Sequence, residues 1–216
     1  PVRTVRIEAA SSLAGAPDTA LDPAQRASFE RAAAEYEQVQ KANADRPEAR
    51  TALGGFHAQR GRDEAAEAEY RAALAMEPRH VPAYVNFADL RRSQGRDADA
   101  EAILREGLAQ APQNPTLQHA HGLALVRMQQ VPEGLAALAR AAQLAPDDAR
   151  FAFVYAVALN STGKSRESLA EIDRALVRHP DNLELLNAGA AFARDAGDSA
   201  TMARYMKRIA ALGGRR

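Results

Sequence analysis

Large apolar side chains recur at a fixed interval of 34 residues along most of the chain, at Tyr70, Leu104, Leu138, Ile172 and Met206. Small residues stand 16 positions before them, at Gly54, Ala88, Gly122, Ala156 and Ala190. A second small column stands four positions before them, at Ala66, Ala100, Gly134 and Ser168. Because two helices approach closely only where a small side chain faces a larger one, these columns predict pairs of packed helices.

Turn residues recur with the same period between the predicted helices. The first helix of each pair ends at a glycine column, Gly61, Gly95, Gly163 and Gly197, in which Gln129 is the exception. The second helix ends before a proline column, Pro78, Pro112, Pro146 and Pro180. Glycine readily adopts the left-handed conformation that ends a helix, and proline disfavours helix at the residue before it. Each period therefore predicts helix, tight turn, helix and tight turn.

This period and its columns resemble the tetratricopeptide repeat, a helix–turn–helix unit of 34 residues. We delimit five repeats, at residues 47–80, 81–114, 115–148, 149–182 and 183–216. The tryptophan position of the family pattern holds Arg50, Tyr84, Gln118, Ala152 and Leu186, and the chain contains no tryptophan. The resemblance implies an all-α fold, a right-handed superhelical solenoid of stacked antiparallel helix pairs.

Two further segments precede the repeats. Residues 1–16 predict one short amphipathic helix, which resembles the second helix of a HEAT repeat; a lone N-terminal helix is the alternative. Residues 17–46 predict a linker and a capping helix from about Pro23 to Asn43. Ala32 and Tyr36 fall in the columns of Ala66 and Tyr70. We interpret this as a second-position helix without a partner of its own, docked on the first repeat.

Composition argues against several classes of protein. The 28 basic and 28 acidic residues cancel, so the chain lacks the positive field that nucleic acid or an anionic membrane attracts. The absence of cysteine excludes disulfides, thiolate metal sites and covalent haem attachment. No apolar run is long enough to span a bilayer. The chain begins at Pro1 without a signal peptide, so we expect an excised piece of a longer cytoplasmic or periplasmic protein.

No catalytic constellation is recognisable, and we expect neither an enzyme nor a cofactor. His119 and His121 form the one close pair among the five histidines. Two residues apart on a helix, they point to different sides and cannot hold one ion together. We therefore predict no metal site.

The remaining candidate is a binding surface. In tetratricopeptide arrays the first helices line a concave side that usually binds an extended peptide or a partner's helix. The resemblance implies these partner-binding residues: Asn86, Asp89, Arg92, His119, Leu123, Val126, Arg127, Phe153, Val157, Asn160, Asn187 and Arg194. An apolar middle with polar flanks favours a hydrophobic or amphipathic segment as the ligand. Only Asn86 matches the carboxylate clamp of chaperone-binding members, so we predict no clamp.

Three alternatives stay open. Val154 and Val157 could pack between first helices and leave little apolar surface for a ligand. The chain could be the non-catalytic docking part of a larger, possibly multihaem redox protein, because bacterial HEAT segments that run into these repeats are sometimes attached to such cytochromes. It could also be a self-assembly module.

Overall fold

The computed structural model describes residues 2–214, apart from the side chain of Asp18, and contains twelve α-helices and one short 3-10 helix within that range. The helices are α1 (Arg3–Ser12), α2 (Pro23–Ala42), α3 (Pro47–Gln59), α4 (Asp63–Met76), α5 (Val81–Ser93), α6 (Asp97–Gln110), α7 (Pro115–Arg127), α8 (Val131–Leu144), α9 (Ala149–Ser161), α10 (Ser165–Arg178), α11 (Leu183–Asp195) and α12 (Ser199–Gly213). The 3-10 helix spans Asp18–Ala20, and residues 2–214 contain no strand. The predicted fold class, an all-α helical-repeat solenoid, is confirmed.

Local sequence explains where the helices begin and end. The first helices of successive pairs begin at intervals of 34 residues, from Pro47 to Leu183. The turn within each pair has a residue with positive φ, a glycine in four pairs and Gln129 (φ 63°) in the pair α7–α8. At the start of α2, Asp22 and Gln25 form a reciprocal capping box. The turns thus follow the glycine column, with Gln129 in the place of one glycine, and α2 begins at its own cap.

The helices form two compact units, residues 2–110 and 111–214. In the first unit α1 packs against α2, and Ala10, Ala33 and Tyr36 share one buried cluster with Phe56 of α3. The rings of Tyr36 and Phe56 lie 4.7 Å apart between their centroids. These contacts place α2 against α3. The prediction that α2 lacks a partner helix is wrong, because α1 supplies one.

Packing between α3 and α4 depends on Gly54. A Cβ atom placed on Gly54 would lie 2.6 Å from Cε1 of Tyr70, which is fully buried. Tyr70 also stacks on Phe87 of α5, with ring centroids 5.9 Å apart. One aromatic side chain therefore fixes the crossing within a pair and the contact with the next pair.

The second unit repeats this packing with different side chains. Between α7 and α8, a Cβ atom on Gly122 would lie 2.8 Å from Cγ of Leu138 and 2.9 Å from the backbone oxygen of Gly134. Between α9 and α10, Ala156 and Ile172 are fully buried, and the Ser168 hydroxyl donates to the Ala156 carbonyl at 2.9 Å. Small columns on both helices thus allow close approach.

The last pair, α11–α12, shifts this pattern by one residue. Met206, which the period places in the large apolar column, is 53% exposed, so that prediction is wrong. Tyr205 is fully buried instead, and its ring lies where a Cβ atom on Gly189 would be. The Tyr205 hydroxyl donates to Asp173 of α10 at 2.8 Å. Because Gly189 has no side chain, the larger ring of Tyr205 fits at this crossing.

Two adjacent glycines of α3 provide a matched test of the close crossing. We expect Gly54→Ala to lower the free energy of unfolding by about 1–3 kcal/mol, because its methyl group clashes with Tyr70. In Gly55→Ala the nearest atom would be 3.8 Å away, so better helix propensity should raise it by about 0.5–1 kcal/mol. Urea unfolding followed by far-UV circular dichroism measures both, and equal effects of the two substitutions would refute this packing.

The register of the last pair can be tested by replacing Tyr205 or its neighbour Met206 with alanine. Tyr205→Ala should destabilise α11 and α12 by about 3 kcal/mol or more, because it empties a fully buried site. Met206→Ala should change stability by no more than about 0.5 kcal/mol, because Met206 is exposed. Amide hydrogen exchange of the two helices reports the difference, and faster exchange in the Met206 variant alone would show that Met206, and not Tyr205, is the buried residue of α12.

Candidate functional site

Two adjoining clefts lie along α3 and α5 of the first unit. One of about 290 Å³ and one of about 410 Å³ share Gly55, Gln59 and Asn86 as lining residues. We call these two adjoining clefts the α3–α5 cleft. The missing side chain of Gly55 widens it, since a Cβ atom there would meet nothing closer than 3.8 Å. Residues of α3 and α5 therefore line a concave feature in this unit, together with Ser11 of α1 and Tyr36 of α2.

Three of the predicted partner-binding residues lie on α5. Asn86 and Asp89 are exposed and line the α3–α5 cleft. Arg92 is also exposed, and its Nε donates to Asp89 at 3.0 Å. Asp89 and Arg92 offset each other's charge, which leaves Asn86 as a neutral amide that can donate and accept hydrogen bonds.

The predicted apolar residues of α7 are largely occupied by packing within the second unit. Leu123 and Val126 are half-buried against the cluster formed by Leu135, Leu138 and their neighbours. Val126 points to α8, because its Cγ2 lies 2.7 Å from where a Cβ atom on Gly134 would be. These two residues of the expected apolar middle therefore use much of their surface in packing within the unit.

On α9 the predicted apolar residues divide between core and surface. Phe153 is half-buried against a cluster that includes Leu185 of α11, and Val154 packs on the same cluster as Leu123. Val157 is 38% exposed. The alternative that these valines pack between helices thus describes Val154 and not Val157.

His119 is half-buried at the beginning of the second unit, with its ring in edge-to-face contact with Phe151 at 5.2 Å. Its Nδ1 is buried and has no hydrogen-bond partner among residues 2–214. Burial lowers the pKa of His119, the charge of Arg150 lowers it further, and Asp148 opposes this weakly. His119 therefore presents a neutral ring near pH 7.

Polar predicted residues lie near the C-terminal ends of α9 and α11. The Asn160 amide donates to Asp195 at 3.4 Å, and Arg194 also contacts Asp195, at 3.2 Å. Asn187 and Arg127 are exposed on α11 and α7. Asp195, which sequence reasoning missed, thus joins two predicted residues into one polar cluster.

Sequence reasoning also missed several residues that line the α3–α5 cleft, namely Ser11, Tyr36, Glu48, Gln59 and His80. Glu48 could have been found, since it lies seven positions before Gly55 and so shares a face of α3 with it. Ser11 and Tyr36 could not, because they come from α1 and α2, outside the five repeats.

None of the helices of residues 2–214 combines the length and apolar character required to cross a bilayer.

Comparison with known proteins gives matches to two sequence models of the tetratricopeptide repeat. One matches residues 64–123, and the other matches residues 18–76 and 119–182, which together are more than half of the chain. These matches include α2 and end before α11. They therefore leave out the pair α11–α12, in which the packing register is shifted. The search of curated protein sequences found no match.

Several solved structures share the fold at low sequence identity. MamA is 15% identical, with a TM-score of 0.63 over 78% of this chain and 92% of its own. YrrB, described as a TPR protein with an unusual peptide-binding site, is 16% identical, with a TM-score of 0.57 over 81% and 90%. PilW, a widely conserved type IV pilus biogenesis factor, is 16% identical, with a TM-score of 0.66 over 97% and 93%. At these identities the likeness shows the fold alone.

The neutral state of His119 has a pH signature. The fold lowers the pKa of His119, so the unfolded chain binds a proton at this ring more readily than the folded chain does. The stability that the neutral ring contributes is therefore present above pH 6.5 and is lost as the pH falls below that value. We expect an NMR titration midpoint below 6.5 for this ring. His119→Gln should weaken the fall in melting temperature between about pH 7 and pH 5. A midpoint at or above 6.5 would contradict the burial of this ring against Phe151.

Proposed function

This chain belongs to the tetratricopeptide repeat family, and we propose that its first helices bind a peptide or an extended segment of a partner protein. Members of the family are generally non-catalytic interaction modules, and the fold supports a protein-interaction scaffold. The peptide-binding site of YrrB is precedent for peptide binding on this fold.

The observation that carries the proposal is the α3–α5 cleft. It is a preformed concave surface lined by exposed polar side chains, Asn86 and Asp89, beside Gly55. The backbone of a bound peptide needs hydrogen-bonding partners on the protein. The amide of Asn86 is such a partner, and because it lies on a helix that is already folded, little conformational entropy is lost when it binds. We place the main contact at Asn86.

In the second unit the proposed contacts are fewer than the predicted ones. Among the predicted apolar residues Val157 is exposed, while Leu123, Val126 and Phe153 are half-buried and offer less surface to a ligand. Asn160, Asn187, Arg127 and Arg194 stay in the proposal as polar contacts, as does the neutral ring of His119. Within the second unit the proposed ligand is therefore a mostly polar segment with an apolar side chain for Val157.

The test begins with peptides selected from a random displayed library against the wild-type chain. Asn86→Arg should weaken binding of the selected peptides at least tenfold, because a long cationic side chain fills the cleft and removes the amide. Ala102→Arg, an exposed change on α6, is the matched control and should leave binding unchanged. Fluorescence anisotropy gives the affinities, and circular dichroism verifies folding.

A second matched pair tests the apolar contact. Val157→Glu should weaken binding, whereas Val177→Glu, at a residue of α10 that is 81% exposed, should not. Full affinity of the folded Asn86→Arg and Val157→Glu variants for every selected peptide would refute the proposed surface.

Exposed apolar side chains of the second unit favour self-assembly as a second candidate function. Val177, Met206 and Leu183 are 81%, 53% and 41% exposed. Light scattering over a concentration series tests this function. A mass that stays monomeric at the highest concentration would eliminate it.

A further inference from the structure

Three potential metal ligands converge at one edge of the α3–α5 cleft. Glu48, Glu77 and His80 each place one ligand atom within 4.8 Å of the other two. Glu77 and His80 flank the turn between α4 and α5, which is closed by the bond from the His80 backbone N–H to the Glu77 carbonyl at 3.0 Å. Glu48 lies in the first turn of α3. The first turn of α3 and the α4–α5 turn therefore bring the three side chains together.

His80 is buried without a side-chain hydrogen bond from the described residues. Its side chain is only 8% exposed, and its Nε2 has no hydrogen-bond partner among residues 2–214. Its Nδ1 lies 3.6 Å from Oε2 of Glu77, which exceeds hydrogen-bond distance. No hydrogen bond from the described residues therefore holds the His80 ring, and Nδ1, which faces the Glu77 carboxylate, is available to a ligand.

Comparison of the N-cap position between repeats shows that His80 does not serve as a helix cap. The same position begins α7, α9 and α11, where Asn114, Asp148 and Asn182 accept a hydrogen bond from the first turn. His80 forms no such bond at the start of α5, and Arg46 forms none at the start of α3. Asparagine and aspartate are favoured caps, whereas histidine is a common metal ligand.

The charges of the cluster also favour a cation. Within residues 2–214, neither Glu48 nor Glu77 forms an ion pair with a lysine or an arginine, although many acidic residues of this chain do. Two carboxylates beside one imidazole form a donor set of nitrogen and oxygen that suits a divalent first-row transition metal.

We propose that Glu48, Glu77 and His80 form a binding site for a divalent transition-metal ion, with Zn²⁺ as the representative ion. Ligands of a tetrahedral zinc ion at its usual bond lengths lie about 3.4 Å apart. Nδ1 of His80 lies 3.6 Å from Oε2 of Glu77, which is close to that spacing, so Nδ1 is the proposed ligand atom of the imidazole. The exposed side chain of Glu48 can adjust to complete the set. The proposed site departs from the prediction, made from the sequence pattern alone, that the chain has no metal site.

The geometry also indicates where a fourth ligand would come from. Glu48 and His80 both line the larger of the two adjoining clefts, of about 410 Å³. Three protein ligands leave one position of a tetrahedral ion for water or another group. We place that position on the side of the cleft, because two of the three proposed ligands line it.

The experiment titrates the untagged, chelator-treated 216-residue chain with Zn²⁺ by isothermal calorimetry. We expect a saturable isotherm with one ion per chain and a rise in melting temperature on addition of Zn²⁺. His80→Asn installs the side chain that caps the equivalent helices, so the variant should fold at least as well as the wild type. Its Zn²⁺ affinity should fall by at least about tenfold. Glu48→Gln should weaken binding in the same way while preserving side-chain shape.

His179→Asn is the matched control, because it removes a histidine outside the cluster by the same substitution. It should leave the isotherm unchanged. Absence of saturable Zn²⁺ binding to the wild type, or undiminished affinity of the folded His80→Asn variant, would overturn the proposal. Because no peptide is present in these titrations, their outcome is independent of peptide binding by the first helices.

Discussion

The close crossing of the two helices in each pair is the constraint on which the rest of the structure depends. A residue without a bulky side chain on the first helix faces a large side chain 16 positions later on the second, as Gly54 faces Tyr70 and Gly122 faces Leu138. The contact is so close that a single methyl group would overlap the partner side chain. Each pair is therefore fixed by its crossing, and neighbouring pairs pack against a surface that is already defined.

This constraint divides each first helix into residues that pack in the core and residues that stay on the surface. On α3 and α5, Gly54 and Phe87 face the core, whereas Gly55, Asn86 and Asp89 lie on the face that lines the α3–α5 cleft. On α9 the core takes a larger share, and Val157 remains exposed. A scaffold of this kind binds with preformed surface, so the cost of ordering a binding site is met during folding.

The N-cap position of the first helices shows how a new property can enter a repeated fold. Asn114, Asp148 and Asn182 cap their helices, which is the role the position has in most repeats. His80 does not cap, and its position beside Glu48 and Glu77 instead forms the proposed metal site. The loss of one cap costs α5 about 1 kcal/mol, which the contacts of α5 with α4 and α6 can tolerate.

The sequence by itself determined the number of helices, their turns and the fold class, because a 34-residue period with glycine and proline columns permits few other arrangements. It located α2 through Ala32 and Tyr36, and it identified Asn86 and Asp89 on the face that lines a cleft. Only the tertiary structure decided that α1 pairs with α2, that Tyr205 and not Met206 is buried, and that Val126 packs inward. Period and spacing assign a residue to a helix face, but a shift of one residue changes which side chain meets the neighbouring helix. The convergence of Glu48 with Glu77 and His80 depends on how α3 packs beside the next turn, which no local pattern encodes.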